Sequence, residues 1–188
     1  EPEELGLNEL FPISTNRSPM YQINLSEPGK FSLPYQPEML IVCRRNLMMN
    51  NVNPEATAEV LKKIPFIVSF STNLDETAEF ADLVLPEAYY LERFDLFPNR
   101  PSHTMSPATG YFYWGVRQPV VEPVGQARRW IDVLLEVADR LGFISDVYKL
   151  FNVKWSLKDP YKLDPHGRYS MDELYDHWTK SLFGPERG

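Results

Sequence analysis

The chain has 188 residues, 43% hydrophobic and 24% charged, close to globular averages of roughly 45–50% and 25%, which excludes a disordered or fibrous protein. Its 19 Lys and Arg against 26 Asp and Glu give a net charge of −7, which argues against nonspecific attraction to nucleic-acid phosphates. A single cysteine, Cys43, excludes an internal disulfide, a Cys-rich zinc site and an iron–sulfur cluster held by this chain alone.

The acidic start Glu1-Pro2-Glu3-Glu4 is unlike a signal peptide, and no stretch approaches the roughly 20 apolar residues that span a bilayer. A soluble chain without membrane insertion is expected, in a compartment the sequence leaves open. Beginning at Glu1 instead of Met, it is expected to be a processed product or a piece of something larger. Residues 1–38 are rich in Pro and lack sustained periodicity, which predicts an irregular arm.

Met39-Leu40-Ile41-Val42-Cys43 is a continuous apolar run followed by Arg44-Arg45-Asn46, the pattern of a strand buried on both faces. Asn53-Pro54-Glu55 reads as a helix start, with Asn as cap, Pro at the first position and Glu at the positive end of the dipole. Ala56, Val60, Leu61 and Ile64 share one helical face, and Pro65 stops the helix. Phe66 to Phe70 is the next strand, so strand, helix and strand form a βαβ unit with parallel strands. The predicted class is α/β.

A short helix over Asp75 to Ala81 and a third strand at Leu83-Val84-Leu85 continue the rhythm. Residues 93–125 predict a long excursion with a short extended piece, marked by the aromatic Tyr111-Phe112-Tyr113-Trp114, itself read as core. Gln126 to Leu141 predicts a helix packed on the sheet, with Trp130, Ile131, Leu134, Leu135, Ala138 and Leu141 on its face and Gly142 as its stop. Ser170-Met171-Asp172-Glu173 has the spacing of a capping box and opens a final helix before Gly184. The expected organisation is an arm over 1–38, an α/β domain over 39–145 and a C-terminal helical extension over 146–188.

In an open parallel sheet, ligands sit beyond the carboxyl ends of the strands, so the loops after Cys43, Phe70 and Leu85 should line one rim. Arg44 and Arg45 can hold a phosphate with fork geometry, and Asn46 can donate and accept toward a base or ribose, or the three form a solvated turn. Ser71 and Thr72 can offer hydroxyls to an anion or cap the next helix. Glu92-Arg93-Phe94-Asp95 fits a local ion pair better than an acid/base couple, so no catalytic residue is assigned. His103, His166 and His177 lack ligand spacing, and no metal site is expected. No Gly-rich dinucleotide fingerprint follows the first strand.

Met39 to Asn46, Pro65 to Val68, Asp75-Glu76-Thr77-Ala78-Glu79-Phe80-Ala81-Asp82-Leu83-Val84-Leu85-Pro86-Glu87 and Leu91-Glu92-Arg93 together resemble the molybdopterin oxidoreductases of the dimethyl sulfoxide reductase family. The E-T-A-x-x-A-D-x-V-L-P segment is the most specific signal. Arg117 to Pro123 and Gln126 to Trp130 are most similar to the polysulfide and thiosulfate reductase branch. The resemblance covers about residues 39–142. It implies the third, Rossmann-like domain of a catalytic subunit whose molybdenum or tungsten sits on two pyranopterin guanine dinucleotides (bis-MGD), this domain gripping one of them.

The resemblance makes Arg44, Arg45, Asn46, Ser71, Thr72 and Arg93 the expected contacts to guanine, ribose or phosphate. Three positions depart from the family pattern: Arg45 and Leu47 flank Asn46 where Gly and Asn-Pro are common, Ser71 replaces a frequent acid, and Arg129 stands where an Asp often precedes the Trp. The family's cluster-binding cysteines, metal ligand and C-terminal domain have no counterpart here. The implied protein is a fragment of a molybdopterin oxidoreductase, inactive alone and without the dinucleotide when isolated. Its implied partners are the remaining domains of the parent catalytic chain and an iron–sulfur electron-transfer subunit, with self-association through apolar surface of the arm and near Trp114. The alternatives are a stand-alone nucleotide-binding module and an interaction domain.

Overall fold

The computed structural model describes residues 37–51, 53–98 and 114–186. Except for Pro37 and Glu38, the expected arm lies outside the described residues, as do Tyr111-Phe112-Tyr113 and the side chain of Trp114. The chain divides into two compact units, Glu1–Pro86 and Glu87–Gly188.

The first unit is an α/β structure. Strands β1 (Met39–Cys43), β2 (Phe66–Ser71) and β3 (Leu83–Pro86) form one sheet in the order β1-β2-β3, all parallel. Between β1 and β2 lie α1 (Leu47–Asn50) and α2 (Pro54–Leu61), the crossover that parallel neighbours require. Helix α2 starts as its sequence predicts: the Asn53 side chain accepts from Ala56 N–H at 3.0 Å, Pro54 needs no donor, and Glu55 sits in the first turn.

The core under α2 is Val42, Leu47, Val60, Leu61, Ile64 and Ile67. Ala56, expected on the inner face, is exposed, and Thr57 is buried in its place because its hydroxyl donates to Asn53 C=O at 2.8 Å. Of the three strands of this sheet, β2 is the one with a continuous buried stretch, from Ile67 to Phe70. The alternation of β1 covers Val42 and leaves Met39 and Ile41 exposed, so the burial on both faces expected of β1 is not met.

The expected helix at 75–81 is a single 3₁₀ turn, Ala78–Phe80. Asp75 Oδ1 opens it by accepting from Thr77 N–H at 3.1 Å and Ala78 N–H at 2.8 Å. Asp82 then fastens β3 to β2, its carboxylate accepting from Ile67 N–H at 2.7 Å while its own N–H donates to Ile67 C=O at 2.9 Å.

The second unit pairs β4 (Asp95–Pro98) with β5 (Trp114–Arg117) antiparallel and contains α3 (Trp130–Arg140), α4 (Ile144–Lys154) and α5 (Met171–Phe183). The pair lies in the expected excursion, and α4 answers to no expected helix. Leu135 and Ala138 of α3 pack with Ile144 and Tyr148 of α4, Met171 and Leu174 of α5, and Leu157 and Leu163 between those two helices. The helix expected on the sheet thus commits its most buried residues to a helical core. Gly142 ends α3 with φ of +83°, and Ser170 and Glu173 close the predicted capping box of α5. None of the described helices is long and apolar enough to cross a membrane.

Candidate functional site

The carboxyl edge of the parallel sheet collects the first unit's polar loops. Cys43 is in register with Phe70, and Phe70 with Leu85, so the chain leaves β1 and β2 at one level, Arg44 beside Ser71. Arg44 makes the exit from β1 with φ of +58°, a left-handed conformation that costs a non-glycine residue about 1–2 kcal/mol. The Arg44 and Arg45 side chains are exposed.

Asn46 is the hub of the edge. Its Oδ1 accepts from Met49 N–H at 3.2 Å, capping α1, and from the Thr77 hydroxyl at 2.9 Å. Its Nδ2 donates to Glu76 Oε2 at 2.6 Å. Thr77 is fully buried, and its Oγ1 also accepts from Met48 N–H at 3.2 Å. These bonds tie the loop after β1 to the loop before β3, across about 30 residues of sequence. They also fix the amide's orientation: the oxygen is committed to two donors, and one Nδ2 hydrogen remains for a further acceptor. The Asn46 bond holds the exposed Glu76 carboxyl below the usual glutamate range, so it is ionised at neutral pH.

Ser71 Oγ donates to Asn73 C=O at 2.6 Å, and Thr72 Oγ1 to Asn73 Oδ1 at 3.0 Å. Each hydroxyl spends its proton on this turn and keeps its oxygen as an acceptor. The edge thus carries two guanidinium side chains, an amide donor, two hydroxyl acceptors and one carboxylate. That set can meet phosphate charge, ribose hydroxyls and the N–H groups of a base.

Arg93, the remaining expected contact, belongs to the second unit. It is buried, with its guanidinium on Glu87 through Nη1 and within 3.0 Å of Asp95 through Nε. Arg117 reaches the same Asp95 oxygen at 3.6 Å. Glu87 uses its other oxygen to accept Trp130 N–H at 2.8 Å, supplying the cap that Arg129 does not give α3. Glu92 takes no part: it accepts from Tyr89 N–H at 2.7 Å in its own turn and from Val124 N–H at 3.3 Å.

A cleft of about 480 Å³ in this unit is lined by Arg128, Arg129, Asp132, Glu136 and Arg168 among others. Its cations are matched in place, Arg128 with Glu136 at 2.9 Å, Arg129 with Asp132 at 2.6 Å and Arg168 with Asp139 at 2.8 Å. Sequence reasoning missed Glu76, Thr77 and Glu87 as functional neighbours. All three lie inside the distinctive 75–87 segment, but Asn46, which meets Glu76 and Thr77, and Trp130, which meets Glu87, are distant in sequence, and only that segment's specificity marked them.

A family profile described as molybdopterin oxidoreductase matches residues 4–140. A sulfite dehydrogenase chain of Allochromatium vinosum is 36% identical over 122 residues, which cover 57% of this chain and 12% of the relative. The thiosulfate reductase molybdopterin-containing subunit of Salmonella typhimurium is 30% identical over 109 residues, covering 58% of this chain and 14% of the relative. The solved structure of acetylene hydratase from Pelobacter acetylenicus shares the fold, with a TM-score of 0.55 at 22% identity over 82% of this chain and 19% of that one. The chain therefore spans a fifth or less of the length of these proteins. With the family profile matched over most of its length, the chain belongs to the molybdopterin oxidoreductase family.

Proposed function

We propose that the carboxyl edge of the β1-β2-β3 sheet holds the guanine nucleotide end of a molybdopterin guanine dinucleotide within a larger catalytic subunit. The observation that carries this reading is Asn46, locked by Thr77 and Glu76 where the loops of parallel strands end, in a chain of a molybdopterin family. The donor set fits a nucleotide. Arg44 and Arg45 answer the diphosphate, Asn46 presents an N–H, and Ser71 and Thr72 present oxygens to ribose or base. When bound, the cofactor supplies the redox chemistry. The residues of this chain bind and orient its nucleotide end and move no proton.

Enzyme turnover on this reading needs polypeptide beyond these 188 residues, as the relatives' greater length supports. The natural partners are other domains of the same polypeptide and, beyond them, an iron–sulfur electron-transfer subunit. Titration of the chain with GDP, followed by amide shifts, tests the site. Perturbations confined to the loops after residues 43, 70 and 85 are expected, weakening with salt because the phosphate contribution is Coulombic. Affinity should be low, roughly tens of micromolar to millimolar, because one wall alone immobilises little of the ligand. Shifts centred on α5 would overturn the assignment.

A further inference from the structure

We infer that Glu76 is the specificity-determining residue of this edge, its carboxylate accepting the paired N–H groups of a guanine. The inference rests on the nucleotide reading above and goes further by assigning the base contact to a residue that sequence reasoning did not select. Guanine's Watson–Crick edge presents N1–H and N2–H side by side, and two adjacent acceptor oxygens on one rigid group answer that pattern. Ser71, at the end of the central strand, has a single oxygen to offer and has spent its hydroxyl proton on Asn73. Asn46 cannot serve, because its oxygen already accepts from Met49 and Thr77.

Of the other carboxylates between β2 and β3, Glu79 is exposed on the 3₁₀ turn with no side-chain hydrogen bond among the described residues to orient it, and two are engaged within the fold. Asp75 opens the 3₁₀ turn by accepting two amide hydrogens, and Asp82 accepts the amide of Ile67. Glu76 differs from both. Its side chain is exposed at the edge and is held by Asn46 Nδ2 through Oε2 at 2.6 Å. Each carboxylate oxygen has two lone pairs, so Oε2 can take a guanine N–H beside the Asn46 hydrogen while Oε1 takes its neighbour. The hydrogen bond that orients the group also keeps it ionised, which strengthens the bonds it accepts. Adenine presents a ring acceptor where guanine presents N1–H, so the carboxylate would repel it.

The test compares GDP, IDP and ADP in amide-shift titrations of the intact chain and of Glu76→Gln. The wild type should prefer GDP to IDP, which lacks the 2-amino group, and IDP to ADP. Glu76→Gln keeps an oxygen for Asn46 and replaces the other with an NH2 group. It should lose roughly 10- to 100-fold in GDP affinity, the worth of a charge-assisted hydrogen bond, and leave ADP affinity unchanged or higher. Unchanged Met48 and Met49 amide shifts in the ligand-free variant would show that the Asn46 loop has kept its shape. An unaltered GDP-to-ADP ratio in the variant, or a wild type that binds GDP and IDP equally, overturns the Glu76 assignment while the nucleotide site stands. A wild type whose edge does not respond to GDP overturns both.

Discussion

Removing the Arg93 guanidinium separates a ligand-contact role from a structural one. Arg93→Ala leaves two carboxylates in place of an ion network: Glu87, 4% exposed, and Asp95, 13% exposed. Losing one partner of a buried pair costs about 3–5 kcal/mol, because the remaining charge stays desolvated. Here each carboxylate retains a neighbour, Glu87 the amide of Trp130 and Asp95 the guanidinium of Arg117 at 3.6 Å, so the lower end, about 3 kcal/mol, applies. At roughly 2–4 °C per kcal/mol for a chain of this size, thermal unfolding followed by circular dichroism should shift down by roughly 6–12 °C. The combined variant Arg93→Met, Glu87→Gln, Asp95→Asn removes the charges together and keeps an acceptor for Trp130 N–H. It should recover most of the loss. An Arg93→Ala chain within about 1 kcal/mol of wild type, or a combined variant no better than the single one, would refute the network as the source of order. Lost GDP response at unchanged stability would instead return Arg93 to ligand contact.

Two further outcomes follow from the local geometry. Arg44→Gly relieves a Cβ clash at φ of +58° and should stabilise the chain by up to about 1 kcal/mol in urea unfolding, while weakening the GDP response through the lost cation. Glu173 accepts from Ser170 N–H and Oγ–H, which holds its carboxyl below the usual range; a lowered folded pKa means stability present above the unfolded value and lost as pH falls through the folded one. Helix α5 should therefore fray on acidification below the ordinary glutamate range, seen as lost ellipticity, and Glu173→Ala should fray at neutral pH.

The parts of the fold legible in the sequence are those whose physics is local. Asn53-Pro54 caps a helix through atoms three residues apart, and Ser170 with Glu173 does the same for α5. The apolar runs of β1, β2 and β3 announced a parallel sheet because their connections were long enough for crossovers and carried helical periodicity. Elsewhere a non-local choice decides. Trp130 to Leu141 has apolar residues on more than one side, and periodicity alone could not say whether the sheet or a second set of helices would cover Leu135 and Ala138. Helix α4 gave no separate warning: Ile144, Tyr148 and Phe151 have helical spacing, but neither end carries a side-chain cap. The β4–β5 pair is four residues per strand, with Pro98 at the end of one, too short for alternation to register.

The candidate site divides along the same line. Arg44, Arg45, Asn46, Ser71 and Thr72 could be placed at one edge because a parallel sheet brings its carboxyl-terminal loops together whatever their sequence. The direction in which Asn46 hydrogen-bonds could not be placed, since it depends on Thr77 and Glu76, 31 and 30 residues away. Taken alone, Asn46 is a donor and an acceptor of equal merit. Once Thr77 and Met49 fill its oxygen it is a donor only, and the burden of accepting from a base passes to the carboxylate beside it. Arg93 shows the converse. Its place between two acids predicts a local ion pair while the resemblance implies a ligand contact, and the fold brings Glu87, six residues back, and Asp95, two ahead, onto its guanidinium. A charged residue's chemistry is thus set less by its type than by which partners the fold has already assigned to it, and that assignment separates the exposed carboxylate of Glu76 from the buried one of Glu87.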